Sequence, residues 1–145
     1  MAAHSTEISR RVFEEVWNNK KLNAIDELMA TNYIHRDPQS PVVSTGIESY
    51  KQFVNHYLKA FPDLHFTIDD EIADEQTVVS RWTATGTHQG DLPGIPPTGR
   101  KFSVTGVTIA RVKNGKFIES WNNWDTLGLM QQLGVLPTEA KGRAA

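Results

Sequence analysis

The 145-residue sequence contains no cysteine. This absence excludes a disulfide framework, a thiolate nucleophile and a thiolate metal site, and it fits a reducing compartment, so we expect a cytoplasmic protein. The N-terminus lacks the apolar core of a secretory signal, and no segment approaches the roughly 18 continuous apolar residues of a membrane span. We therefore expect a soluble chain with no membrane partner.

Neither sign of charge dominates the sequence. Seventeen acidic and fifteen basic residues give a formal net charge of -2 at pH 7, and the two signs are interspersed. A protein that binds nucleic acid or an anionic membrane surface usually concentrates basic residues in a patch, and no such patch is apparent. We therefore expect no nucleic acid as a partner.

Several motifs of cofactor and nucleophile chemistry are also missing. The five histidines include no His-x-x-x-His pair, no glycine-rich phosphate loop follows a predicted strand, and no Gly-x-Ser-x-Gly nucleophile elbow occurs. We therefore expect a protein that uses neither a metal ion nor an organic cofactor.

The chain shows no break in composition, so we expect one domain over residues 1–137 and a flexible tail over residues 138–145. Apolar residues at helical spacing predict a helix that ends near Asn19, a short second helix over 22–29 and a third over 46–61. Extended segments are predicted over 33–35, 64–72, 77–88, 102–112 and 117–124. Asn114-Gly115 is the clearest turn signal between two of them.

Three helices that lead into a long antiparallel meander predict an α+β fold, in which a curved sheet wraps its apolar face around the helices. Such a sheet forms a cone with one open end. The loop over residues 88–99 is rich in glycine and proline, and we expect it to form the lip of a pocket at that end.

Asp125 is the first candidate for chemistry, because it follows the last predicted strand beside Trp121 and Trp124. A carboxylate among indole rings is poorly solvated, which raises its pKa and suits it to acid/base work. Asp125 could instead be the N-cap of a helix over residues 126–133, since Asp before a short apolar helix is a common start signal. The sequence leaves both roles open.

Three more titratable residues, His35, Asp37 and His88, lie at the ends of predicted strands, where a scaffold can hold them near a substrate. Each has a structural alternative: His35 could simply pair with Asp37, and Asp37 before Pro38 is a frequent turn residue. By strand alternation His88 projects from the same face as Trp82, so we expect both in one cavity.

Aromatic and amide side chains are expected to line that cavity. The four tryptophans are more often core residues than ligand contacts, although one or two should lie at the mouth. On the last strand Trp121, Asn123 and Asp125 share one face and Asn122 and Trp124 the other, and alternation does not say which faces inward. Such walls suit a flat, partly oxygenated molecule whose carbonyl oxygen gains charge on enolisation. The expected pocket residues are Trp17, Tyr33, Trp82, Trp121, Asn122, Asn123 and Trp124.

Six sequence blocks occur in the order typical of one family: VWNN (16–19), YIHRDP (33–38), FPDL (61–64), WTATGTH (82–88), GIPPTGR (94–100) and WNNWD (121–125), the last continuing to Gly134. Together they resemble the SnoaL-like polyketide cyclase, or ester cyclase, family over nearly the whole chain. The resemblance implies the cone of the nuclear transport factor two-like superfamily, usually as a homodimer packed through the outer sheet faces.

For characterised members, the resemblance also implies a cofactor-free intramolecular aldol closure of a polyketide ester. The family's acid/base aspartate falls on Asp125, and His88 and His35 would assist or orient. The implied partner is a small hydrophobic or aromatic organic ligand. Alternatives are a noncatalytic small-molecule binder that uses the same pocket, an isomerase-like or epoxide hydrolase-like activity, and a dimerisation or scaffold domain.

Two other enzymes of the same cone are less similar. Asp37-Pro38 resembles the general-base motif of ketosteroid isomerase, but Phe13 falls where that enzyme has its oxyanion tyrosine, and the strand near Val107 and Thr108 offers no second acid. Limonene epoxide hydrolase uses an Asp, Arg, Asp set. Arg81 and Asp125 could supply two members, but Thr83 stands where the strand aspartate is expected.

Overall fold

The computed structural model describes residues 2–39 and 43–137 of the chain. The predicted flexible tail lies outside the described residues. The domain boundary at residue 137 therefore stays a prediction.

Among the described residues, four α-helices and one π-helical segment frame the sheet. Helix α1, Ala2–Arg11, runs on into a π-helical segment, Val12–Asn18, and is followed by α2, Ala24–Leu28, by α3, Ile47–Ala60, and late in the chain by α4, Thr126–Gln132. In a π-helix the hydrogen bonds run from i to i+5, so positions four and five apart share a face. The two adjacent pairs Val12, Phe13 and Val16, Trp17 are accordingly all buried.

Within residues 2–39 and 43–137 the sheet has six strands in the order β2-β1-β6-β5-β4-β3. The strands are β1, Met29–Arg36, β2, Ser44–Thr45, β3, His65–Ala73, β4, Thr77–Thr87, β5, Lys101–Lys113, and β6, Lys116–Trp124. All neighbours pair antiparallel except β1 and β6, which are parallel. The predicted hairpin turn at Asn114-Gly115 is present, and both residues have positive φ.

One face of this sheet is covered by the helices and the other is exposed. Along β4, Val78, Ser80, Trp82 and Ala84 are buried and alternate with less buried residues. The helices α1 and α3 lie against the buried face, which contains the core, as expected for a period-two strand with one covered side. This arrangement confirms the predicted α+β fold with helices packed in a curved, mostly antiparallel sheet.

Two polar contacts fix the first helix on the edge of the sheet. Ser9 donates a hydrogen bond to Glu71 over 2.9 Å, and Ser80 donates to the same carboxylate oxygen over 2.8 Å. At the end of the π-helical segment, the Asn18 amide donates to the carbonyl of Phe66 and accepts from its N–H, over 2.9 and 2.7 Å. The amide thus satisfies backbone groups that the edge strand β3 would otherwise leave unpaired.

Asp125 begins helix α4. Its carboxylate accepts a hydrogen bond from the N–H of Gly128 over 2.8 Å, and its own N–H pairs with the carbonyl of Thr105 over 3.0 Å. The side chain is exposed. Of the two roles that the sequence left open for Asp125, the structure shows the helix cap.

The cap gives a stability prediction. We expect Asp125→Ala to lower the free energy of unfolding by about 1 kcal/mol, because an N-cap acceptor is lost, whereas Asp125→Asn keeps an acceptor and most of that stability. Urea unfolding followed by circular dichroism measures both. Equal stabilities for the Ala and Asn variants would contradict the capping role.

Candidate active site

A narrow cavity lies between the helices and the covered face of the sheet. Its volume is about 80 Å³, and most of its wall is aromatic. Edge-to-face contacts hold the rings in place: Trp17 meets Phe53 at 6.2 Å between centroids, and Phe66 meets Trp82 at 4.9 Å. The aromatic residues of the wall are Phe13, Trp17, Tyr33, Tyr50, Phe53, Tyr57, Phe61, Phe66, Trp82, Phe117 and Trp124.

A second pocket of about 310 Å³ adjoins the cavity. The two spaces share Phe53, Tyr57, Trp124 and Leu129 as walls. Leu92, Pro93 and Ile95, from the loop after β4, line the second pocket, where Leu92 and Ile95 exchange backbone hydrogen bonds of 3.1 and 2.8 Å. That the loop over residues 88–99 forms the lip of the cavity stays a prediction.

Asp37 follows directly after β1 and lines the cavity. Its carboxylate accepts hydrogen bonds from Trp124 Nε1 over 3.1 Å and from the N–H of Gln39 over 2.9 Å, and it is also hydrogen-bonded to the Asn122 amide. Burial raises the pKa of Asp37 above its ordinary value, and these hydrogen bonds oppose the rise. It is the one carboxylate among the described residues of the wall.

His35, two residues earlier on β1, is buried in the same cavity. Burial lowers its pKa to about 4, so the imidazole is neutral at neutral pH. Its Nδ1 lies 3.1 Å from Ser120 Oγ and 3.5 Å from the Tyr33 hydroxyl, and its Nε2 lies 3.4 Å from Asn122 Nδ2. Both ring nitrogens are therefore engaged with neutral polar groups.

The direction of these hydrogen bonds follows from Asp37, whose carboxylate can only accept and therefore faces the amide nitrogen of Asn122, so that Asn122 Oδ1 faces Thr108. Trp82 Nε1 donates to Thr108 Oγ1 over 2.9 Å, and Thr108 then donates to Asn122 Oδ1 over 2.6 Å. The amide nitrogen of Asn122 is left to face His35 Nε2 and Asp37. Because that nitrogen donates, His35 Nε2 is the acceptor and the ring proton lies on Nδ1, directed at Ser120.

This direction limits what Ser120 and His35 can do together. Ser120, His35 and Asn122 lie in the order of a nucleophile, a base and an orienting amide. A base must present an unprotonated nitrogen to the nucleophile, whereas His35 presents its N–H to Ser120. The arrangement therefore does not activate Ser120 as a nucleophile.

Most of the expected site residues meet in the cavity, and the structure decides which face of β6 points inward. Asn122 and Trp124 line the cavity together with Ser120, whereas Trp121 and Asn123 do not. The expectation that these two line the pocket is wrong because they alternate with the inward set. Trp121 stacks instead on the outer face, with the Arg36 guanidinium 4.5 Å from its ring centre. The expected residues that do line the cavity are Trp17, Tyr33, His35, Asp37, Trp82, Asn122 and Trp124.

His88 is fully buried but does not line the cavity. It packs against Phe61, whose ring lies 5.8 Å away and itself forms part of the cavity wall. The N–H of Thr98 donates to His88 Nδ1 over 3.2 Å, so the ring proton lies on Nε2, which has no hydrogen-bond partner among the described residues. The expectation that His88 shares the cavity with Trp82 is wrong, because the ring of Phe61, against which His88 packs, forms the cavity wall there.

Asp125 also lies outside the cavity, where its carboxylate caps α4. The environment that the sequence predicted for Asp125, a carboxylate among aromatic rings, is found at Asp37.

Thr108, Ser120 and the two tyrosines of α3, Tyr50 and Tyr57, are cavity residues that the sequence did not single out. Both tyrosines are seven residues apart and therefore share one face of α3, which is the signal that could have found them. Thr108 and Ser120 gave no comparable signal, because their positions depend on strand register.

Among the described residues, no three His, Asp or Glu side chains converge as a metal site, and no described helix is long and apolar enough to cross a membrane.

Comparison with known proteins gives concordant matches. The SnoaL-like polyketide cyclase family matches residues 7–133. Nogalonic acid methyl ester cyclase of Streptomyces nogalater is 28% identical over 120 residues, which cover 81% of this chain and 89% of that protein. An aklanonic acid methyl ester cyclase of Streptomyces peucetius is 30% identical over 127 residues, covering 83% and 84%. Both relatives are cyclases, which confirms the prediction of a cyclase-like enzyme.

Solved structures agree with this match. TsrD of Streptomyces laurentii superposes with a TM-score of 0.82 at 30% identity and covers 92% of this chain and 97% of its own. A SnoaL-like protein of Jannaschia sp. CCS1 superposes with a TM-score of 0.86 at 25% identity, covering 94% and 95%. Sequence and fold together therefore show that the chain belongs to the SnoaL-like polyketide cyclase family.

Proposed function

We propose that the chain catalyses the intramolecular aldol closure of an enolisable, polyketide-like ester without a cofactor, with Asp37 as the acid/base. The observation that carries the proposal is the position of Asp37, a partly desolvated carboxylate in an aromatic cavity that carries no described lysine or arginine. The relatives named for the methyl esters of nogalonic and aklanonic acid support the substrate class.

The proposed reaction conserves every atom of the substrate. The Asp37 carboxylate removes a proton from the carbon next to a carbonyl group, and the electron pair of that C–H bond forms an enolate. The enolate carbon attacks a second carbonyl carbon of the same molecule, which forms the ring bond and leaves an alkoxide. Asp37 then returns its proton to the alkoxide, so the product is an isomer of the substrate.

The surroundings of Asp37 suit both halves of this cycle. Burial disfavours the charged carboxylate and thereby makes it a stronger base than a solvated one. The N–H groups of Trp124 and Gln39 hold the carboxylate in place without removing its charge. The aromatic walls exclude water that would compete for the enolate and the alkoxide.

The position of Asp37 favours it over Asp125, onto which the family's aspartate falls. The Asp125 carboxylate is exposed and occupied by the Gly128 N–H, so it has neither the desolvation nor the access to the cavity that the reaction requires.

Three further properties stay proposals. A small hydrophobic or aromatic organic ligand fits the aromatic wall. A homodimer formed through the outer sheet face is supported by the partly exposed apolar side chains of Val107 and Ile109 on β5. A cytoplasmic location rests on the absence of cysteine alone.

Asp37→Asn tests the proposed base. We expect this variant to cyclise aklanonic acid methyl ester about 100 to 10,000 times more slowly than the wild type, because an amide cannot accept the proton. Asp125→Asn is the matched control and should keep wild-type turnover. Chromatographic separation of the ester from its isomeric product measures both rates.

Two outcomes would contradict this assignment. An Asp37→Asn variant as active as the wild type excludes Asp37 as the base, and a loss confined to Asp125→Asn returns the role to Asp125. A wild-type protein that binds the ester without converting it supports the noncatalytic binder.

The pKa shifts predict the pH dependence of the reaction. Only the carboxylate form of Asp37 is active, so kcat/KM should rise with pH through a pKa above the ordinary aspartate value. The groups near Asp37 are His35 on β1 and Tyr50 and Tyr57 on α3. His35 stays neutral above its pKa of about 4, and burial raises the pKa of both tyrosines.

None of these neighbours should therefore add a limb to the profile between about pH 5 and 8. Rates of ester cyclisation at constant ionic strength across this range test the expectation. A second limb at the ordinary histidine value of about 6.5 that disappears in His35→Asn would show that His35 is charged in the working enzyme.

A further inference from the structure

The deep part of the cavity ends in a pair of hydroxyl groups. Tyr33 on β1 and Ser120 on β6 are both buried, both line the cavity, and their hydroxyl oxygens are hydrogen-bonded to each other. Ser120 is the register partner of His35 in the parallel pair of strands, so the hydroxyl pair lies level with His35.

The two hydroxyl groups have one more hydrogen to donate than there are acceptors for it in the surrounding described residues. The chain that starts at Trp82 passes through Thr108 and Asn122 to His35, and each group donates to the next. His35 Nδ1–H then donates to Ser120 Oγ. The two hydroxyl groups share one hydrogen bond but carry two hydrogens, so one hydrogen has no acceptor among the described protein groups.

A buried donor without an acceptor is costly, and a ligand oxygen that reaches it removes that cost. We propose that the Tyr33–Ser120 hydroxyl pair binds the carbonyl oxygen of the ligand and donates the hydrogen bond that stabilises this oxygen as it becomes an enolate. The catalytic part of this inference rests on the proposed function. The binding of a carbonyl oxygen rests on the hydrogen count alone.

The spacing along β1 allows one ligand group to reach both Asp37, which would remove the proton, and the hydroxyl pair, which would bind the carbonyl oxygen. His35 and Asp37 are two residues apart and project from the same face, which separates the hydroxyl pair from Asp37 by about 6.6 Å along the strand. A carbonyl oxygen and its α-carbon are two bonds apart, and those bonds are about 1.2 and 1.5 Å long. With a hydrogen bond of about 2.8 Å at the oxygen and a contact of about 3 Å at the α-carbon, an enolisable group can reach both sites.

The charge balance agrees with this position. Proton transfer from carbon to Asp37 removes the negative charge of the carboxylate and creates one on the carbonyl oxygen, so the cavity contains one negative charge before and after the step. The hydroxyl pair receives that charge in a wall where most of the other described side chains are aromatic or aliphatic.

A pair of matched probes tests the oxygen site. Acetophenone carries a carbonyl oxygen where α-methylstyrene has a CH₂ group of similar shape, so the ratio of their affinities isolates the hydrogen bond. We expect the wild type to prefer acetophenone by about three- to tenfold, as for one hydrogen bond. We expect the Tyr33→Phe/Ser120→Ala double variant, made in a His35→Phe background because it would otherwise leave the His35 N–H free to donate, to lose that preference and to retain its affinity for α-methylstyrene, which reports an intact cavity.

Single variants sharpen the test because each leaves one free hydroxyl hydrogen. In Tyr33→Phe the Ser120 hydrogen is free, and in Ser120→Ala the Tyr33 hydrogen is free, so each single variant should keep part of the preference. With [¹³C]carbonyl acetophenone, the bound carbonyl resonance should move downfield in the wild type and back in the double variant.

Asp37→Asn separates this inference from the proposed function. It should stop cyclisation of the ester but leave the preference for acetophenone in place. A wild type that shows no preference, including one that binds neither probe, overturns the oxygen site even if Asp37 proves to be the base. A preference that survives in the double variant overturns it as well. The wild-type comparison stays decisive if the double variant does not fold.

Discussion

The hydrogen bond that the Asn122 amide donates to the Asp37 carboxylate is the contact on which the polar side of the cavity depends. Because a carboxylate can only accept, the amide nitrogen of Asn122 faces Asp37 and its oxygen faces Thr108, which accepts from Trp82 and donates to that oxygen. The tautomer of His35 and the surplus hydrogen of the hydroxyl pair follow from this orientation. One carboxylate thus fixes the direction of a chain that spans four strands of the sheet.

Trp82 on β4 and Trp124 on β6 both direct their indole rings into the cavity, and Gly106 on β5 makes this possible. Gly106 pairs in register with Trp82 on one side and with Trp124 on the other. A Cβ atom at position 106 would lie 2.5 Å from the Trp82 ring and 2.7 Å from Trp124 Cβ, closer than side chains pack. The space left by a missing side chain therefore allows Trp82 to begin the hydrogen-bond chain and Trp124 to donate to Asp37.

The sequence predicted what depends on local pattern. The helices, the strands and the Asn114-Gly115 turn follow from spacing and turn chemistry, and so does the inward position of Trp82. The burial of Asp37 does not, because it arises where β1 pairs in parallel with β6, more than 80 residues away, at the register Arg36 with Trp121. The same long-range pairing decides which face of β6 points inward, and so places Asn122 and Trp124 in the cavity and Trp121 and Asn123 outside it. Asp125 was ambiguous for a different reason: one residue type serves both as a helix cap and as an acid/base.

The neutrality of His35 connects these features to reactivity. A charged imidazole two residues from Asp37 would favour the carboxylate and lower its pKa, which would weaken it as a base. Burial instead holds the pKa of His35 at about 4, and its neighbours on both ring nitrogens are neutral groups that cannot restore the charge. The burial of a neutral histidine therefore leaves Asp37 as the charged group among the described residues of the cavity wall, so that in the proposed reaction no fixed cation opposes protonation of its carboxylate.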